Sequence, residues 1–139
     1  MRAKTYLQQV RLLDTRIETN LEEYERLKAM ATKVTAVLSG EVVSRSRNND
    51  TMADTIEKII KLQDIINRDV DKYIDLKQDV LTVLSNVENP LYYDVLYSRY
   101  INYKTWEQIA CDMNYSYRGV TKIHGKALVA FERVLEKCS

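Results

Sequence analysis

Apolar side chains recur every seven residues along two long segments of the first 88 residues. A heptad repeat sustained over this length is typical of helices that pack side by side in a coiled-coil-like manner. The repeating positions are Val10, Ile17, Tyr24, Ala31 and Leu38, with Leu13, Leu27 and Val34 three further on, and Met52, Ile59, Ile66, Tyr73, Val80 and Val87, with Ile56, Val70 and Leu84 four further on. The pattern therefore predicts two long helices.

A polar stretch from Ser39 to Asp50, which contains Gly40, separates the two segments. Thr51 and Asp54 then have the spacing of a helix start signal. Because the connection is short, we expect an antiparallel helical hairpin over residues 1–88, acting as a scaffold. The second helix has more apolar surface than one partner covers, so we expect it to pack on the C-terminal helices and to form a homodimer as well.

Residues 89–139 have a different pattern, with three short start signals in a row. Asn89 followed by Pro90 is typical of a first helix that runs to about Ile101. Thr105 with Gln108 forms a capping box for a second helix, and Asn114 suits the left-handed backbone of a tight turn. Ser116 is placed to cap the last helix. This order and spacing predict a helix-turn-helix unit, so the fold class is all-α.

The helices of this unit also have separate apolar and polar faces. Apolar positions at helical spacing are Trp106, Ile109, Ala110 and Met113 before the turn, and Val120, Ile123, Ala127, Phe131 and Val134 after it. Residues 114–130 contain three basic and no acidic side chains, whereas residues 1–89 carry 14 basic and 15 acidic ones. Positive charge is thus concentrated where such a unit would meet phosphates.

These observations favour double-stranded DNA as the partner, because a helix-turn-helix unit places its second helix in the major groove. We expect bases to be read by Arg118, Thr121 and Lys122, and the sugar-phosphate backbone to be held by Ser116, Tyr117 and Lys126. The other candidate DNA-binding residues are Thr105, which caps the first helix of the unit, and Gly125, which allows close approach.

The same segment resembles region four of bacterial sigma factors, which reads a promoter element. The resemblance rests on Leu96–Tyr100, on Glu107–Ala110, and on Ser116 with the helix after it. Tyr103 departs from the family, which usually has glycine there. The resemblance implies that RNA polymerase is a further partner.

Over its whole length the chain also resembles phage transcriptional regulators of the RinA and ArpU type. Arg99-Tyr100-Ile101 followed by Thr105–Ala110 carries this likeness. It implies a transcriptional activator of phage or prophage genes. Two alternatives stay open: the DNA-recognition small subunit of a phage packaging terminase, and a protein that docks on RNA polymerase without binding DNA.

The composition argues against an enzyme. His124 is the only histidine, and we expect it to be partly packed at the edge of the apolar stripe. There is no glycine-rich phosphate loop and no zinc-ligand spacing, so we expect no catalytic residue, no metal and no cofactor. Cys111 and Cys138 lack disulfide-framework spacing, and the chain has no membrane-length apolar run, so we expect a cytoplasmic protein with free thiols.

Overall fold

The computed structural model describes residues 2–40 and 45–138, with side chains described except at 34, 35, 37–40 and 45–50. These ranges are helical throughout, apart from short turns, and contain no strand, which confirms the all-α prediction. The helices are α1 (Arg2–Gly40), α2 (Arg45–Ser85), α3 (Pro90–Leu96), α4 (Trp106–Met113) and α5 (Tyr117–Cys138), with a π-helical turn at Tyr97–Ile101 directly after α3.

The predicted break between the two long helices is too long. α1 continues to Gly40 and α2 already begins at Arg45, so the predicted start at Thr51 is wrong. Residues 45–50 contain neither glycine nor proline, and a polar run without these residues does not by itself end a helix. Residues 41–44, which include the rest of the predicted loop, lie outside the described ranges.

The chain divides into two compact units, which are described separately. The first unit combines residues 1–14 with residues 73–139, and the second consists of residues 15–72. The predicted domain boundary after residue 88 therefore falls within the first unit. In that unit the first turns of α1 and the last turns of α2 join the core of the C-terminal helices.

The core of the first unit is built from α1, α2, α3, the π-helical turn and α5. Its fully buried side chains include Leu7 and Val10 of α1, Val80 and Leu84 of α2, Leu96 of α3, and Ala127 and Phe131 of α5. The backbone amide of Ala3 donates to Glu132 Oε2 at 2.8 Å. This carboxylate satisfies an amide that the first turn of α1 leaves without an intrahelical partner.

In the second unit two positions of the predicted heptads are buried and a third is exposed. Ile17 and Ile66 are buried, as the repeat predicts. Arg16 Nε pairs with the buried carboxylate of Asp69 at 3.0 Å. Ile56, however, is 44% exposed although it belongs to the predicted stripe. The whole-length antiparallel hairpin and the homodimer stay predictions.

Candidate nucleic-acid interface

The helix start signals of residues 89–116 form the predicted contacts. The Asn89 side chain accepts from the Leu91 amide at 2.9 Å, with Pro90 in the first turn of α3. At α4, Thr105 Oγ1 accepts from the Gln108 amide at 3.2 Å, while Gln108 Oε1 accepts from the Thr105 amide at 2.9 Å. The capping box is confirmed. It fixes where α4 begins by using amides that the helix leaves unsatisfied.

The turn between α4 and α5 also has the predicted conformation. Asn114 has φ 59° and ψ 37°, in the left-handed region that asparagine tolerates better than most residues. The amide of Tyr115 donates back to the carbonyl of Ala110 at 3.0 Å. Only residues 114–116 thus separate α4 from α5, which starts at Tyr117.

Ser116 caps α5 from the turn. Its Oγ accepts from the amide of Gly119 at 3.0 Å. A Cβ at position 119 would come within 3.1 Å of the same Oγ, which is tighter than most real contacts. The absence of a side chain at Gly119 therefore leaves room for the cap.

A small core holds α4 against the first turns of α5. Ile109, Ala110 and Val120 are buried, and Trp106 and Met113 pack against them. These are the apolar positions that the sequence predicts for this contact. On the rest of α5 the buried face is rotated slightly from the prediction, since His124, Leu128 and Leu135 are buried while Ile123 and Val134 are half-buried.

Three exposed cations lie along one side of α5, four residues apart: Arg118, Lys122 and Lys126. A spacing of four places side chains on the same helix face. Among the described residues, no carboxylate lies within ion-pair distance of any of the three. We call these residues the basic row. They keep their charges available to an outside anion.

The other candidate residues surround the basic row or precede it. Tyr117 is 51% exposed and Gly125 is exposed, with nothing within 4 Å of an added Cβ. Thr121 is half-buried, and its hydroxyl donates to the carbonyl of Arg118 at 3.0 Å. Seven of the eight candidates thus lie on α5 or its cap, and Thr105 lies at the start of α4.

The free space at Gly125 makes its substitution informative. We expect Gly125→Ala to raise the free energy of unfolding by about 1 kcal/mol, because alanine lowers the backbone entropy of the unfolded chain. The urea midpoint measures this gain. Gly119→Ala is the matched control, and it should gain less because its Cβ crowds Ser116 Oγ. Equal gains for the two variants would contradict this account.

Tyr103 contributes a feature that the sequence did not predict. Its φ is 57°, a left-handed conformation that is rare for a tyrosine and natural for glycine. The Tyr103 hydroxyl donates to Asp14 Oδ2 at 2.8 Å, and the Arg11 guanidinium lies 5.3 Å from the ring centroid. Burial and the bond to Asp14 raise the pKa of the phenol. The side chain thus ties the segment before α4 to α1 within the first unit.

Removing the Tyr103 hydroxyl should therefore be costly. We expect Tyr103→Phe to lower the free energy of unfolding by about 1–3 kcal/mol, since it deletes a hydrogen bond to a carboxylate. Tyr115→Phe, at a tyrosine that is 46% exposed, serves as the control and should change stability by less than about 0.5 kcal/mol. Urea unfolding of both variants measures the difference. A Tyr103→Phe midpoint equal to that of the control would rule out the tie to Asp14.

His124 is more deeply buried than predicted, with 8% of its surface exposed. Its Nε2 lies 2.7 Å from the Tyr100 hydroxyl. Its ring packs edge-on against the Trp106 ring, with 4.5 Å between the two ring centroids. Burial, and then the charges of Lys4 and Arg99, lower its pKa from 6.5 to about 4. Burial raises the pKa of Tyr100 to about 12, so the phenol keeps its proton and can donate it to the neutral imidazole. His124 thus has a packing role between α4, α5 and the π-helical turn.

The described residues contain no group of three or more side chains that would hold a metal ion. Cys111 and Cys138 are exposed and unpaired. Within the described ranges no helix has the length and apolar character needed to cross a membrane. No protein-family model matches the chain, and it has no match among curated proteins or solved structures.

Proposed function

We propose that this protein is a sequence-specific DNA-binding transcriptional regulator that inserts the first half of α5 into a major groove. The observation that carries the proposal is the basic row of Arg118, Lys122 and Lys126, exposed on a helix that is capped at Ser116 and held by α4. A rigid helix with a solvent-facing cationic side is what major-groove recognition requires.

The chemistry of six of the eight candidate residues supports a role in DNA binding. Arg118 presents a planar guanidinium that suits the two acceptors of a guanine edge, and Lys122 can reach the same groove as a point charge. Lys126 and Tyr117 suit phosphate and sugar contacts. Thr105 Oγ1 and Ser116 Oγ each accept a backbone amide, which leaves their own hydroxyl protons to donate to phosphate oxygens.

The regulator that we propose is of phage or prophage type, on the strength of the sequence resemblance alone. Contact with RNA polymerase and dimerisation belong to the same proposal. A dimer would bring two reading helices to two half-sites. Light scattering tests it, because a mass of one chain at micromolar concentration would remove dimerisation from the proposal.

Binding of the intact protein to duplex DNA over a salt series tests the proposal directly. A genomic fragment selection first supplies a preferred sequence, and an unrelated duplex of equal length is the control. We expect the preferred duplex to bind more tightly, and the logarithm of affinity to fall against the logarithm of salt concentration, with the phosphate contact of Lys126 contributing about −1 to the slope. Absence of duplex binding at low salt would overturn the proposal.

A further inference from the structure

A cavity of about 400 Å³ lies beside the first turns of α1, within the first unit and away from the basic row. Its size is in the range of small-molecule sites. It is lined by Lys4, Gln8, Arg11 and Leu12 of α1, by Arg99 and Tyr100 of the π-helical turn, and by Trp106 of α4. We call it the α1 pocket.

The charged lining of the α1 pocket is all positive. Lys4 and Arg11 are exposed, and no carboxylate lines the cavity. Arg99 is held in place, since its guanidinium lies 4.4 Å from the Trp106 ring centroid and Nη1 donates to the carbonyl of Lys104 at 3.0 Å. Its remaining N–H groups are available to an anion, and a fixed guanidinium loses little entropy when it binds one.

The α1 pocket also has apolar and aromatic walls. Leu12 is 68% exposed, a large fraction for a leucine next to three cations. Trp106 is half-buried and contributes an indole surface. The lining thus suits a ligand with an anionic group and a flat, largely apolar ring. A small inorganic anion would contact only the cations and would leave the surfaces of Leu12 and Trp106 uncovered.

Two unusual backbone features lie next to this cavity. The π-helical turn that supplies Arg99 and Tyr100 inserts an extra residue into the helical hydrogen-bond pattern, with the Asn102 amide donating to the carbonyl of Tyr97. Tyr103, two residues beyond the turn, has its positive φ. Such departures are frequent at functional sites, where the surrounding structure holds a costly backbone in place.

The α1 pocket is separate from the basic row. Tyr100 and Trp106 contact His124, which lies on the buried side of α5. The basic row lies on the exposed side of the same helix. A ligand in the α1 pocket would therefore contact the inner support of α4 and α5 rather than the side proposed to enter the groove.

We propose that the α1 pocket binds a small nucleoside phosphate, with the phosphate held by Lys4, Arg11 and Arg99 and the base lying against Leu12 and Trp106. A phosphate with close to two negative charges suits three cations better than a single carboxylate does. The volume accommodates a mononucleotide. This inference does not depend on DNA binding by α5.

Trp106 provides a direct readout, because it is the only tryptophan of the chain and lines the pocket. The intact protein is titrated with a nucleoside monophosphate, with the uncharged nucleoside and with inorganic phosphate, by tryptophan fluorescence and by calorimetry. We expect saturable binding of the monophosphate that is tighter than binding of either fragment. Failure of the monophosphate to bind at millimolar concentration and low salt would overturn the proposal.

Two double variants that remove the same number of charges locate the binding. Lys4→Gln with Arg11→Gln changes two exposed pocket residues and should weaken monophosphate binding about tenfold or more. Lys122→Gln with Lys126→Gln, on the basic row, should leave it unchanged while weakening duplex binding. Equal losses for both pairs would mean a general charge effect and would overturn the pocket, whatever the outcome for DNA.

Discussion

Lowering the pH from about 7.5 to about 5 should reduce the free energy of unfolding by about 2 kcal/mol through His124 alone. The pKa of His124 is about 4 in the folded protein and 6.5 as the reference value. Below pH 6.5 the unfolded chain therefore binds a proton at His124 that the folded chain does not bind. The loss grows as the pH falls and levels off below about pH 4, at about 3 kcal/mol in total.

No other histidine contributes to this loss of unfolding free energy, because the chain has a single histidine. Urea unfolding of the wild type and of His124→Gln at both pH values measures the effect. The glutamine variant keeps a polar group near Tyr100 but has no titrating group at position 124, so its free energy of unfolding should change by about 2 kcal/mol less than that of the wild type. An equal change in the wild type and the variant would mean that His124 is accessible to protons in the folded state.

Arg118→Ala should weaken binding to the preferred duplex by about 1–3 kcal/mol, provided that the guanidinium makes a bidentate contact to a base. Binding to an unrelated duplex should fall much less, so the ratio of the two affinities should shrink. Arg118 is exposed and forms no ion pair among the described residues, so folding should be unaffected. Gel-shift titrations with both duplexes measure the ratio, and thermal unfolding checks the fold.

Lys126→Ala is the matched control for Arg118→Ala, because it removes one positive charge from the same face of α5. A phosphate contact is indifferent to sequence, so this variant should weaken both duplexes about equally and reduce the salt slope by about 1. The same pattern for Arg118→Ala would move Arg118 from base reading to backbone contact. No loss in either variant would separate the basic row from DNA altogether.

The features that the sequence predicted best are those decided by neighbouring residues. Thr105 with Gln108, Asn114 and Ser116 act through hydrogen bonds and backbone preferences that span three or four positions, and all four occur as expected. The start of α2 was predicted wrongly because the polar run before Thr51 has no strong preference. These local sequence signals were thus sufficient to locate the candidate helix-turn-helix, while DNA binding by it stays a proposal.

The features that the sequence missed depend on residues far apart in the chain. The left-handed Tyr103 is held by Asp14, 89 positions earlier, and the pocket beside it joins α1 to α4. The deep burial of His124 depends on Tyr100 and Trp106 as well as on its own helix. A short stretch of sequence does not indicate such contacts, because they form only when elements that are distant in the chain pack together.

The amide of Ala3 and the carboxylate of Glu132, 129 positions apart, meet in the same core as Leu7 and Phe131. During synthesis on a ribosome, residues 3–10 emerge long before residues 127–135. The side chains of residues 3–10 therefore cannot be buried in this core until α5 has been translated. We therefore expect nascent chains arrested before Phe131 to remain sensitive to protease in their earliest segment, and full translation to protect it.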